Sequence, residues 1–170
     1  MKVLRFDGAS RGNPGRGSCA AVLFDNDKNE GQVYKVLPGM VTNNEAEYMG
    51  LIAGLKYLQS LKIDTVQIEG DSKLIIEQLF GSWQCKHPRL KPYYQTAKEL
   101  FKSFKFINGR WIPRELNAVA DAYCNRALDA KTFEGKLDWF ILPIRKKDKT
   151  DLRNYFTSSS SFDLQSGHTL

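Results

Sequence analysis

Phe6-Asp7-Gly8-Ala9-Ser10-Arg11-Gly12-Asn13-Pro14-Gly15 sets a carboxylate directly behind a short apolar run, Val3, Leu4 and Phe6, and follows it with residues that turn. The run has the composition of a strand. Gly8, Gly12, Asn13, Pro14 and Gly15 permit tight turns and close approach of a ligand to the backbone. Asp7 is therefore expected at a strand end. Taken alone, an Asp followed by Gly reads as a turn residue bonded to its own backbone. The rest of the chain gives it a second meaning.

Downstream, residues 18–24 and 33–37 read as two further strands, joined by a hairpin loop over residues 25–31, which makes an antiparallel meander. The period then changes. Tyr48, Leu51, Ile52, Leu55 and Leu58 recur at helical spacing behind Thr42-Asn43-Asn44, which supplies N-cap residues. Glu47 precedes Leu51 by one turn and shares its inward stripe, whereas Glu45 points about 200° away and is expected to face water. Residues 65–69 alternate as a fourth strand, and Gly70-Asp71-Ser72 turns it into a helix carrying Leu74, Ile75, Ile76, Leu79 and Phe80. Asp71 also sits at a strand end, where by itself it reads as a helix cap worth about 1 kcal/mol.

Residues 83–92 break the pattern with Pro88 and Pro92 and gather Trp83, Lys86, Arg89 and Lys91 in a surface connection. A helix over residues 93–103 follows. A fifth strand over residues 104–112 is interrupted near Asn108-Gly109. In a last helix over residues 115–130, Leu116, Ala120, Tyr123 and Ala127 form an apolar stripe with Asn117, Asp121, Cys124 and Leu128 beside it. The order describes an α/β domain with a mixed five-stranded sheet flanked by helices, ending near residue 131.

The 170 residues are 42% hydrophobic, enough for one domain with a real core. A net charge of +6 and a pI near 9.2 favour a polyanionic partner, nucleic acid or membrane surface. Cys19, Cys85 and Cys124 are odd in number and far apart, which supports neither a disulfide framework nor a zinc site and fits a reducing, intracellular compartment, cytoplasmic or nuclear. No apolar run approaches the roughly 18 residues that span a bilayer, so a soluble protein is expected; a monomer is expected as well.

Four acids stand out by placement: Asp7 and Asp71 at strand ends, Glu47 inside one helix and Asp121 beside the inner face of another. Buried carboxylates repel one another unless a cation or protons offset them. Mg²⁺ or Mn²⁺ suits such an oxygen cluster, and two ions about 3.5–4 Å apart can activate water and stabilise a leaving phosphodiester oxygen.

The ordered motifs Asp7-Gly8-Ala9-Ser10-x-Gly12-Asn13-Pro14-Gly15, Thr42-Asn43-Asn44-x-Ala46-Glu47, Gly70-Asp71-Ser72 and Asn117-x-x-Ala120-Asp121 resemble those of type 1 ribonuclease H over residues 1–131. The resemblance implies an RNase H-like fold with sheet order 3-2-1-4-5. It also implies metal-dependent hydrolysis of the RNA strand of RNA–DNA hybrids, leaving 5′-phosphate and 3′-hydroxyl ends. By motif, Asp7, Glu47, Asp71 and Asp121 would be the metal ligands. Asn13, Thr42, Asn43 and Asn44 would meet the hybrid, where amide and hydroxyl groups can recognise a 2′-hydroxyl. Lys86, Arg89 and Lys91 would grip phosphates, although their connection is shorter than the helical basic protrusion of some members. The active-site loop lacks the His of bacterial members. The sequence is in this respect similar to the archaeal and plant-type subgroup, with Arg114 or Glu115 placed to compensate. The same motifs are compatible with a non-catalytic hybrid-binding module or a DNA nuclease on the same fold.

Residues 132–170 form an extension, expected to pack partly and then to be disordered. Its Leu152, Tyr155 and Phe156 have the spacing of a peptide that binds a replication sliding clamp, but Lys149 stands where that pattern has Gln.

Overall fold

The computed structural model describes residues 1–130. β1 (Lys2–Gly12) runs on through the glycine-rich stretch and β2 (Gly15–Asp25) returns from it, leaving Asn13 and Pro14 as the turn. The expected turn after Asp7 is thus strand, and Asp7 lies mid-strand opposite Ala20. Pairing with β2 along its whole length keeps β1 extended. The strand-end placement survives in one respect, because the parallel pairing of β1 with β4 (Thr65–Gly70) stops at Phe6 opposite Gly70. Asp7 and Asp71 emerge together from that end.

β3 (Lys28–Val41) begins far earlier than residue 33, and the expected seven-residue loop shrinks to Asn26 and Asp27. Both take positive φ, 50° and 65°, the left-handed conformation that Asn and Asp tolerate in tight hairpins. β5 (Phe106–Trp111) is continuous through Asn108-Gly109, with Gly109 lying against the ring of Phe80. The sheet order is β3-β2-β1-β4-β5, antiparallel from β1 to β3 and parallel from β1 to β5.

Helices cover both faces. α1 (Asn43–Ser60) lies over Leu4 and Ala21, with α2 (Lys73–Phe80) and α3 (Lys91–Phe101) on its side of the sheet. α4 (Ala118–Ala130) covers the opposite face of β1 to β3, where Ser18 Oγ donates to the Cys124 carbonyl at 2.7 Å. α1 is buried nearly all round, between the sheet and α3, and Tyr48, Leu51, Ile52, Leu55 and Leu58 form the centre of the core. Burial of that apolar face, rather than helix propensity, is what holds such a helix in place.

Two expectations fail on polar detail. Glu45 does not face water: it is buried, because its carboxylate closes a capping box with Thr42. The last helix is preceded by a 3₁₀ turn, Arg114–Asn117, which leaves Leu116 exposed and turns Asn117 inward. Tyr123 is only half-buried, packed on Tyr34 with ring centroids 4.8 Å apart, while Cys124 and Leu128 join Ala120 and Ala127 on the buried face.

Candidate metal centre and cleft

The site begins with a helix crossing a strand at backbone contact. A Cβ on Gly8 would stand 2.2 Å from the Ala46 carbonyl carbon, and one on Gly50 would stand 2.3 Å from the Asp7 backbone carbonyl oxygen. Real side chains never approach so closely, so only glycine at both positions lets α1 settle on β1. That contact sets Glu47, in the inward turn of α1, directly over Asp7. Asp71 arrives from β4, one residue beyond the last parallel pair.

One carboxylate oxygen from each of Asp7, Glu47 and Asp71 lies within 4.8 Å of the others. The Gly8 amide donates to Asp7 Oδ1 at 2.9 Å. Glu47 Oε1 is buried and has no hydrogen-bond partner among the described residues. Asp71 is steadied from outside: Asn117 Nδ2 donates to its Oδ2 at 3.2 Å and to the Phe6 carbonyl at 2.9 Å, and Trp111 Nε1 donates to the Asp71 carbonyl at 3.1 Å. Asp121, in the first turn of α4, lines the same cleft outside the group of three.

Crowding of like charges shows in proton affinity. Burial, and then the charge of Asp71, pushes the Asp7 carboxyl from 3.8 up to about 7, with Asp121 adding to the effect. Burial raises Glu47 well above the usual carboxylate range, followed by the charges of Asp7 and Asp71. Among the described residues, none of the ion pairs involves these four acids. A compact set of hard oxygen donors with a buried, unpartnered oxygen and no compensating cation fits Mg²⁺ or Mn²⁺.

The cleft around the acids holds about 490 Å³ and is lined by polar groups, including Ser10, Asn43, Asn44, Ser72, Arg114 and Asn125. Asn43 and Asn44 are exposed at its rim. Thr42 caps α1, and Asn13 Oδ1 accepts from the Asn43 amide at 3.0 Å, so the β1–β2 turn is tied to the start of the helix. Lys86 and Arg89 are exposed on the segment between α2 and α3, Lys91 is exposed at the first position of α3, and none of the three lines the cleft. Arg89 is instead engaged by Glu45. Arg114 does line it, whereas Glu115 is exposed elsewhere. Leu152, Tyr155 and Phe156 lie outside the described residues.

Ser10, Ser72 and Asn125 were not expected in the cleft, and Asn117 was not expected to hold Asp71. Asn117 opens the motif Asn117-x-x-Ala120-Asp121, but that spacing names no partner for its side chain. Burial beside a carboxylate is what gives it a role.

Residues 5–127 match the family model described as reverse transcriptase-like. A bifunctional protein of Mycobacterium tuberculosis is 43% identical over 129 residues, which are 75% of this chain and 35% of that protein. This chain therefore spans about a third of the length of such relatives. Among solved structures, RNase H1 of the archaeon Halobacterium salinarum superposes with a TM-score of 0.72 at 38% identity, covering 76% of this chain and 98% of that one. LC11-RNase H1, solved in complex with an RNA/DNA hybrid, superposes with a TM-score of 0.73 at 31% identity, covering 78% of this chain and 100% of that one. With the sheet order and the four motifs in place, the chain belongs to the type 1 ribonuclease H family.

Proposed function

We propose that this protein is an endonuclease that hydrolyses the RNA strand of RNA–DNA hybrids at the Asp7–Glu47–Asp71 cluster, in the removal of RNA primers and hybrids. The observation that carries the reading is the cluster itself: three carboxylates converge within 4.8 Å with one buried oxygen unpartnered. Asp7, Glu47, Asp71 and Asp121 would hold two divalent ions, Mg²⁺ or Mn²⁺. When bound, such ions supply Lewis acidity and a nucleophilic water for phosphodiester hydrolysis, leaving a 5′-phosphate.

The remaining residues bind and orient. Asn117 holds Asp71 by its second carboxylate oxygen, fixing the direction in which the first points. Asn43 and Asn44, at the rim, offer the donor and acceptor groups that a 2′-hydroxyl requires. Asn13 and Thr42 serve the same surface by fixing the start of α1, and the Arg114 guanidinium brings positive charge to the cleft where a phosphate would lie. Lys86 and Lys91 extend the phosphate contacts along the connection. That LC11-RNase H1 carries a hybrid on the same fold supports this choice of substrate. Residues 1–131 would act as the catalytic domain and residues 132–170 as an extension, with Leu152, Tyr155 and Phe156 its candidate clamp-binding residues. No described helix is long and apolar enough to cross a membrane. The reading includes an intracellular monomer.

Labelled RNA–DNA hybrid, duplex DNA and duplex RNA incubated with the protein in Mg²⁺ and then Mn²⁺ decide the matter. Cutting confined to the RNA of the hybrid, and lost in Asp71→Asn, is the expected result. Binding without cutting in either metal would make the protein a hybrid-binding module and overturn the enzymatic reading.

A further inference from the structure

Arg89 stands in the basic connection, where its exposed position suggests a phosphate contact, yet its Nε lies 2.9 Å from Glu45 Oε1. Glu45 is 6% exposed and uses both carboxylate oxygens. Oε1 also accepts from the Thr42 amide at 2.9 Å, and Oε2 accepts from the Tyr93 hydroxyl at 3.1 Å. Thr42 Oγ1 accepts in turn from the Glu45 amide at 3.2 Å. The segment that carries Arg89 is itself ordered: the Arg89 amide donates to His87 Nδ1 at 3.1 Å, and the Leu90 and Lys91 amides both donate to the His87 carbonyl. Between Thr42 and Glu45 sit Asn43 and Asn44, the two side chains at the rim of the cleft.

We propose that Arg89 is a positioning residue: through Glu45 it fixes the first turn of α1, and with it Asn43 and Asn44, so that hybrid binding depends on Arg89 without contact between Arg89 and the hybrid. The proposal rests on the assignment of Asn43 and Asn44 to hybrid recognition. Its physical basis is the capping box. A first turn closed only by Thr42 and Glu45 leaves the Glu45 side chain with rotamer freedom; a guanidinium on one oxygen and a phenol on the other remove that freedom and lock the turn. Asn13 holds the same turn as well, through the Asn43 amide. The start of α1 is thus gripped by the β1–β2 turn and by the α2–α3 connection, two segments remote in sequence.

Direct phosphate contact and the latch give opposite signs for one substitution. Glu45→Gln releases Arg89 from its counter-charge. A phosphate-binding Arg89 would then hold the hybrid more tightly; a latch would be broken and hybrid binding would weaken. The measurement is fluorescence anisotropy of a labelled RNA–DNA hybrid on the full 170-residue chain in Mg²⁺, in an Asp71→Asn background that prevents turnover. The latch predicts that Glu45→Gln and Arg89→Ala each weaken binding about 3- to 10-fold and that the double variant is no worse than either single one, the non-additivity of two partners in one interaction. It also predicts an unchanged slope of log affinity against log salt in Arg89→Ala, whereas loss of a phosphate contact lowers that slope by about 0.9. Tighter binding by Glu45→Gln, or additive losses, overturns the proposal.

A second readout needs no substrate. In the free protein, the side-chain amide resonances of Asn43 and Asn44 should shift or broaden in Arg89→Ala while the thermal midpoint stays within a few degrees of the parent, as for a half-exposed ion pair. Unmoved resonances would overturn the latch. Failure of the unsubstituted chain to bind any hybrid would remove the functional reading instead and leave this second test decisive for the latch.

Discussion

Glu45 and Glu47 lie two residues apart in one helix and are equally buried, each 6% exposed, yet their surroundings are opposite. Glu45 meets donors on both oxygens, from Thr42, Arg89 and Tyr93. Glu47 meets two other carboxylates and keeps an oxygen without a partner. The first is a folding carboxylate, neutralised locally and holding a helix end. The second, on the proposed reading, is a metal ligand, whose burial costs stability that a bound cation would offset. Burial alone does not distinguish them; the company of each carboxylate does.

The widest separation between the two regions should appear in activity. Asp71→Asn, which removes a charge from the crowded group and keeps the hydrogen-bond geometry, is expected to lower hybrid cleavage at least 100-fold, since disturbing even the supports of a metal ligand costs about 10- to 100-fold. Its circular dichroism should match the parent. Cleavage within a few-fold of the parent would remove Asp71 from the metal centre.

Stability should respond in the other direction. Glu45→Ala leaves the Thr42 amide and the Tyr93 hydroxyl without their acceptor and should cost about 2–3 kcal/mol in denaturant unfolding. Glu47→Gln, in metal-free buffer at pH 8, relieves repulsion and should not destabilise. Equal losses in both variants would abolish the distinction between the two glutamates.

A third test uses protons. The folded-state pKa of Asp7 is raised, from 3.8 to about 7, so the folded chain holds a proton that the unfolded chain has released. Stability from this group is therefore fully present below about pH 4 and is lost as pH rises through about 7. Metal-free protein should lose stability across that interval by an amount on the order of 1.4 kcal/mol per tenfold change in proton affinity. Asp7→Asn should flatten the profile. Mg²⁺ should raise the thermal midpoint more at pH 8 than at pH 5, because protons compete for the same oxygens. A midpoint insensitive to Mg²⁺ at pH 8 would mean that the cluster holds no metal.

The smallest effect belongs to the cap. Thr42→Ala removes one partner of the box and should cost about 1 kcal/mol, with weaker hybrid binding as Asn43 and Asn44 lose their anchor.

Much of this was legible in the chain. Strand-like composition, period-two alternation and helical spacing located the five strands and four α-helices of the described residues, though not the 3₁₀ turn before α4, because those patterns reflect which side of an element meets the core. The four motifs carried the family, and Asp7, Glu47 and Asp71 were singled out before any geometry. Glu45 was misjudged because helical spacing registers only angle around one helix, and its partner Arg89 comes from a distant connection. The β1–β2 turn was placed too early for a related reason. Glycine reads as a turn residue, but Gly8 serves the approach of α1 to β1.

The sequence by itself determined the α/β class, the acidic residues and the family, since these depend on residue types at fixed spacing along the chain. Only the tertiary structure decided which carboxylates crowd together, that Asp121 stands outside the closest group, that Asn117 holds Asp71, and that Arg89 turns to Glu45. Each of these is a contact between segments remote in sequence, set by how α1 crosses β1 and how the connections fold back. No local pattern encodes a distance of that kind.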